Sequence, residues 1–290
     1  MTPDVVVDCA CELGEGPTWD APRHRLLWLD VDGLVLHQLG AGGQTETALE
    51  RRVSAVIPDV DGQLIAVAGL AVARIDEFGR LGETIATLPS DGDGLANDAR
   101  CDPMGRLWVG TVDRSGEQQA GLFCVAADGS VDKVRDGVAL SNGIDWSPDG
   151  RVCHYVDSLA HRVDTIHLDT DGLPTRSETL VHIDSIPDGL SVDEEGAVWV
   201  ALWDGGAIHR YTSQGRLDRI VEVPGGFITS CAFGGPELTT LFITSARGGL
   251  SEAQLRTQPP AGARFALDVG VAGRGYTPVG TPDRNDSGAA

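Results

Sequence analysis

The stretch "DPMGRLWVGT", Asp102–Thr111, decides the fold. It opens on a turn signal, Asp-Pro-x-Gly, and runs into an apolar strand-like segment centred on Trp108. The pattern recurs as "DAPRHRLLWLDV" from Asp20, "DVDGQLIAVAG" from Asp59, "SPDGRVCHYVDS" from Ser147 and "DEEGAVWVAL" from Asp193. "FGGPELTTLFITSA" from Phe233 is a degenerate sixth copy. The equivalent strand positions are Trp28, Ile65, Trp108, His154, Trp199 and Phe242, spaced 37, 43, 46, 45 and 43 residues apart.

Each copy continues through a turn into a further strand: "VLHQL", "AVARID", "GLFCVAADG", "HRVDTIHLDTDG", "AIHRYTSQG" and "RFALDVG". A unit of about 40–50 residues with several short strands and little helical periodicity is a β-propeller blade. The expected fold is therefore all-β, a six-bladed β-propeller. Six units account for the 290 residues, which predicts one domain over residues 1–280 and a small, polar, flexible tail over 281–290. An open ring would leave strand edges unpaired. Closure is expected from pairing of the N-terminal "DVVVDCA" with the C-terminal strands around Arg264.

Composition excludes some functions. The net charge of -21 makes nucleic acid and anionic membranes poor partners. No apolar run reaches the roughly 18 residues that span a bilayer, and the N-terminus lacks a secretory pattern, so a cytoplasmic protein is expected. The cysteines Cys9, Cys11, Cys101, Cys124, Cys153 and Cys231 form no CxxC pair and are expected to be reduced. A Cys9–Cys11 disulfide is not expected, because the bridge would span a single residue.

The polar residues before each Trp-type strand sit in a repeated frame. "ELGEGPTWD" presents Glu15 between two glycines and ahead of Pro17, which reads as a bent connection offering one carboxylate. "GLANDARCDP" offers Asn97 and Asp98, "ALSNGIDWSPDG" offers Asn142, and "SIPDGLSVDEEG" offers Asp188. Asn142 lies seven residues before Asp149, and Asp188 seven before Glu195. Equivalent positions on rotationally related blades point at one spot near the axis. Two carboxylates and an amide oxygen meeting there suit a divalent cation. Without a cation, Glu15 and Asp188 repel and one is driven towards protonation. Asn-Gly and Asp-Gly are also hairpin dipeptides, so each alone has a turn reading.

Taken in order, "GEGPTWD", "NDARCDPMGRLWVGT", "SNGIDWSPDG", "VDSLAHRV" and "IPDGLSVDEEGAVWVALWDGG" resemble the senescence marker protein/gluconolactonase/regucalcin family of six-bladed propellers, from about Leu13 to Gly280. The resemblance implies hydrolysis of a lactone, usually a sugar lactone, with one divalent metal: calcium, zinc, manganese, magnesium or ferrous iron. It implies Glu15, Asn142 and Asp188 as metal ligands, with Asn97 and Glu117 on the substrate and Asp98 as a spare carboxylate beside it. Asp188 would also be the general base that takes a proton from the attacking water. Family lactonases often carry Arg-x-Asn-Asp where this chain has Leu95-Ala96-Asn97-Asp98. Loss of that donor points to a less hydroxylated lactone or ester. No GxSxG elbow or HExxH pair offers another hydrolase. Competing readings are a non-catalytic propeller that binds a cation or ligand, and a promiscuous ester or phosphotriester hydrolase.

Overall fold

A computed structural model describes residues 2–89, 94–114 and 120–280. The chain forms six four-stranded antiparallel sheets. Blades 1 to 5 are each built from four consecutive strands. The first strands of the blades are Gly14–Asp20, Ala55–Pro58, Gly94–Cys101, Ser141–Trp146, Pro187–Val192 and Phe227–Gly234. These first strands pack against one another around the ring and line its axis. The outer strands, such as Gly43–Ala48 and Pro174–His182, are mostly exposed. One helix, Glu252–Thr257, carries a capping box between Ser251 and Gln254. It is too short to cross a membrane, and no described helix is long and apolar enough to do so.

Blade 6 mixes the two ends of the chain. Asp4–Val7 pairs antiparallel with Arg264–Asp268 and becomes the outermost strand, as the closure argument requires. The outer edge of Arg264–Asp268 would otherwise be open. Removal of residues 1–7 is therefore expected to lower Tm by several degrees in a thermal scan, through loss of the ladder and of buried Val7. An unchanged Tm would show that the closing strand contributes nothing.

The core is not one mass. Buried apolar residues fall into six clusters, each at the seam between successive blades. Trp28, Trp108 and Trp199 are at most 1% exposed, which puts the repeated aromatic in these seams. The cluster between blades 6 and 1 has only four buried members, Val7, Cys11, Leu26 and Trp28.

The aspartate at the head of the repeat has a structural role. Asp193 Oδ1 accepts from the N–H groups of Glu195 and Ala197, closing the turn. Its Oδ2 accepts from Trp199 Nε1 at 2.9 Å and from Arg210 Nε at 2.8 Å. Asp102 repeats the arrangement with Met104, Arg106 and Trp108. The spacing Asp-x-x-Gly-x-x-Trp thus couples a turn to the buried indole that follows it.

The strand bearing Trp28, Trp108 or Trp199 is second from the axis. The strand before it, which the sequence reads as a loop, lines the channel.

Candidate metal centre

Glu15, Asn97, Asn142 and Asp188 all lie inside innermost strands rather than in connections. In each case pairing with the next strand slips by one residue at that point. Glu15 pairs with Leu29 but Thr18 with Leu27; Ser141 pairs with Asp157 but Ile144 with Tyr155. Pro187 pairs with Leu202 but Leu190 with Val200, and the slip in blade 3 falls between Ala96 and Asp98, at Asn97. Each slip is a β-bulge, which bends the strand and re-aims a side chain. Blade 6 has the same slip at Thr229, whereas blade 2 pairs without one. Gly16, at φ +56°, and Pro17 supply the bulge in blade 1.

Asn142-Gly143 and Asp188-Gly189 are therefore not hairpin turns. Their glycines are required by close approach of neighbouring blades near the axis. A Cβ on Gly143 would fall 2.4 Å from Leu190 N and 2.7 Å from Asp188 O. One on Gly189 would fall 2.1 Å from Ser230 Oγ. The polar side chains are thereby carried on strands that touch.

The electrostatics of the cluster are unfavourable as the side chains stand. Burial, then the carboxylate of Asp98, pushes Glu15 up to about 8, against the Gly16 N–H and the guanidinium groups of Arg264 and Arg52. Burial, then Glu15 and Asp98, drives Asp188 well above the usual carboxylate range, with Asn142 opposing. Asp98 is raised to about 6 by burial, against the Ala99 N–H and Arg100. Three acids thus press on one another with little to neutralise them.

Asp188 is 3% exposed, and its Oδ1 has no hydrogen-bond partner. A buried, unpaired carboxylate oxygen is costly unless something positive faces it. Asn142 Nδ2 donates to Ser158 Oγ at 3.1 Å, and the Asn142 amide also hydrogen-bonds the Asp188 carboxylate; a cation would need its oxygen instead. Asn97 Nδ2 donates to the Ser141 carbonyl at 2.9 Å, tying blade 3 to blade 4. No three His, Cys, Asp or Glu side chains among the described residues are gathered closely enough to hold an ion by themselves. A cation here would take Glu15, Asp188 and the Asn142 oxygen, with Asp98 acting from farther off. All-oxygen donors, an orphaned oxygen and mutual repulsion fit a hard divalent cation.

A cavity of about 30 Å³ is lined in part by Asp98, Arg100, Ile144 and Tyr276. That is room for little more than a water molecule. Glu117 lies outside the described residues. Leu95, two residues before the Asn97 bulge, is half-buried and pairs with Val112. Trp203 stacks on Phe227 with ring centroids 4.5 Å apart, where the innermost strand of blade 6 begins.

Fold and site together define a six-bladed propeller with a polar, acid-rich centre at the axis. Residues 13–247 match the SMP-30/Gluconolactonase/LRE-like region, and the chain belongs to that family. It is 34% identical to the pentonolactonase XacC of Haloferax volcanii over 288 residues, covering 94% of this chain and 97% of that one. It is 34% identical to the regucalcin of Danio rerio over 277 residues, 92% of this chain and 94% of that one. The crystal structure of a calcium-binding regucalcin from Agrobacterium tumefaciens superposes with a TM-score of 0.89 at 33% identity, covering 96% of this chain and 98% of that one.

Proposed function

We propose that the protein is a divalent-cation-dependent lactonase, with Glu15, Asn142 and Asp188 as ligands. The observation that carries this reading is Asp188 Oδ1, buried and unpaired among carboxylates that repel it. Membership of a family whose relatives include a pentonolactonase supports lactone hydrolysis. The relative described as calcium-binding supports a cation, without fixing which one this chain prefers.

A bound divalent cation supplies positive charge that keeps Glu15 and Asp188 ionised together and polarises the lactone carbonyl. Asp188 accepts a proton from the attacking water as its oxygen adds to the carbonyl carbon. The ring C–O bond then breaks, and Asp188 returns the proton to the departing ring oxygen, which becomes a hydroxyl. Asn97, fixed by its bond to Ser141, borders the acyl group. Leu95 presents an aliphatic surface where family lactonases often carry arginine, which favours lactones with few hydroxyl groups. Leu95→Arg is expected to lower KM for polyhydroxylated lactones severalfold, with little change for alkyl lactones; kinetics on paired substrates checks this.

Proton release and cation binding are linked. Glu15 rises from 4.5 to about 8 on folding without a cation. Between those values the folded chain holds more protons than the unfolded one. The cation-free protein therefore loses stability as pH rises through that window. A cation removes the repulsion and expels the protons. The Tm gained on adding calcium or manganese is expected to grow from about pH 5 to about pH 8. A gain that is flat with pH would place the cation elsewhere.

The direct test is a proton-release assay over sugar and alkyl lactones, with chelator and then with each divalent metal restored. Turnover that chelator abolishes and metal restores supports the reading. A cation that binds without any lactone turning over would make this a binding propeller.

A further inference from the structure

A second chemical centre lies at the seam where blades 6 and 1 close. Cys9 and Cys11 lie on the segment joining the closing strand Asp4–Val7 to the innermost strand of blade 1. Both are free thiols. The residue between them, Ala10, has φ +47°, a left-handed conformation that L-residues other than glycine seldom adopt. This kink brings the two sulfurs to 3.3 Å, with Cys11 donating to Cys9, which corrects the expectation that a bridge across one residue could not form. An unusual backbone conformation is a pointer to function where the surroundings hold it in place. Here they do: Cys11 N–H donates to the Gly262 carbonyl, and the Cys11 carbonyl accepts from Arg247 N–H.

The second observation is independent. Arg264 is fully buried, and none of its Nε, Nη1 and Nη2 atoms has a hydrogen-bond partner. It lies 4.8 Å over the Trp28 ring, and the charges it feels most are those of Cys9 and Cys11. Trp28 Nε1 is likewise buried without a partner, and the indole N–H faces the Cys9 sulfur. The indole N–H at Cys9 and the nearby Arg264 charge both favour negative charge on that sulfur. The Gly262 carbonyl, 3.3 Å from Cys9 Sγ, opposes this by accepting from a neutral thiol. The net balance holds Cys9 near 6, with the Cys11 hydrogen bond as the largest cause and Arg264 and Trp28 adding to it. His37 and Asp30 also face Cys11; His37 Nε2 stands 3.7 Å from its sulfur and is kept neutral by burial.

We propose that Cys9 and Cys11 are an oxidisable dithiol, which hydrogen peroxide converts to a Cys9–Cys11 disulfide. The Cys9 thiolate attacks one peroxide oxygen; the O–O bond breaks, hydroxide leaves, and Cys9 becomes a sulfenic acid. The Cys11 sulfur then attacks the Cys9 sulfur, the S–O bond breaks, and water leaves with the Cys11 proton. The two sulfurs lose two electrons in all, and the peroxide takes them. The roles follow from access: Cys9 is partly exposed and meets the oxidant, whereas Cys11 is buried and resolves it. Cys101, Cys124, Cys153 and Cys231 are buried away from the oxidant and stay out of the reaction. Glu15 also feels the Arg264 guanidinium, so the two centres share that residue, but the dithiol chemistry does not depend on the lactonase reading.

The test is thiol counting on the full chain after mild peroxide treatment, by alkylation under denaturing conditions and intact mass. The expected result is loss of two of the six alkylatable thiols, mapped to the Cys9–Cys11 peptide and reversed by dithiothreitol. Cys11→Ser should instead leave a Cys9 sulfenic acid that dimedone traps. Cys9→Ser should lose no thiol under the same treatment. Arg264→Met should slow wild-type-like oxidation about tenfold. Six thiols surviving in the wild type would overturn the proposal. So would thiol loss in Cys9→Ser at the wild-type rate, or oxidation spread evenly over all the cysteines.

Discussion

Asp188→Asn is expected to lower turnover at least about a hundredfold while raising, not lowering, the Tm of the cation-free protein. The two effects have one cause. Asp188 is buried, its Oδ1 is unpaired, and Glu15 and Asp98 repel its charge. In the absence of a cation that carboxylate is a burden on the fold. Asparagine has nearly the same shape, carries no charge, and can donate to an adjacent carboxylate. It cannot take a proton from water, so under the proposed mechanism the chemical step loses its base. Chelator-treated protein in a thermal scan, beside steady-state rates with metal restored, measures both. A variant that keeps more than about a tenth of the activity removes Asp188 from the chemistry. A variant that is inactive and also less stable without metal makes Asp188 a structural residue.

Asp193→Ala should have the opposite profile, a large loss of stability with the active centre intact at low temperature. Asp193 is fully buried. It closes its own turn and accepts from both Trp199 and Arg210. Arg210 also reaches Glu195 and Asp218, so its charge keeps partners at the rim, but its inner end loses the buried one. Removing one side of a buried ion pair costs about 3–5 kcal/mol. With about 2–4 °C of Tm per kcal/mol for domains of this order of size, a fall of roughly 10 °C is expected. Reversible denaturant titration of the variant, with lactone turnover measured well below the transition, checks it. A change under about 1 kcal/mol would mean that the turn and the indole do not depend on each other.

The repeat was legible because its signals are local. Turn residues and strand alternation depend on neighbours in sequence, so "DPMGRLWVGT" and its copies give the blades and their number. The ring's closure was legible too, since an unpaired edge at one end of the chain asks for a strand from the other. Asn142 and Asp188 stood out by frame, as equivalent places on repeated units, and Glu15 by the glycine and proline around it ahead of the first repeat. Their conformation did not. Glycine and proline around Glu15 read as a bent connection, yet they form a bulge inside a paired strand.

What the sequence by itself determined is the architecture: six copies of one strand-and-turn unit, and the set of polar residues that stand at matching points in them. What only the tertiary structure decided is rank and proximity. It made the segment before each tryptophan the innermost strand, and it turned Asn-Gly and Asp-Gly from turn signals into points of contact between blades. It set Asp98 against Glu15 and Asp188, and Arg264 over Trp28 beside two cysteines some 250 residues away in sequence. The physical reason is range. A turn or an alternating strand is fixed by bonds and side chains a few residues apart. The distance between two blades' side chains at the axis is fixed by how all six sheets pack and close.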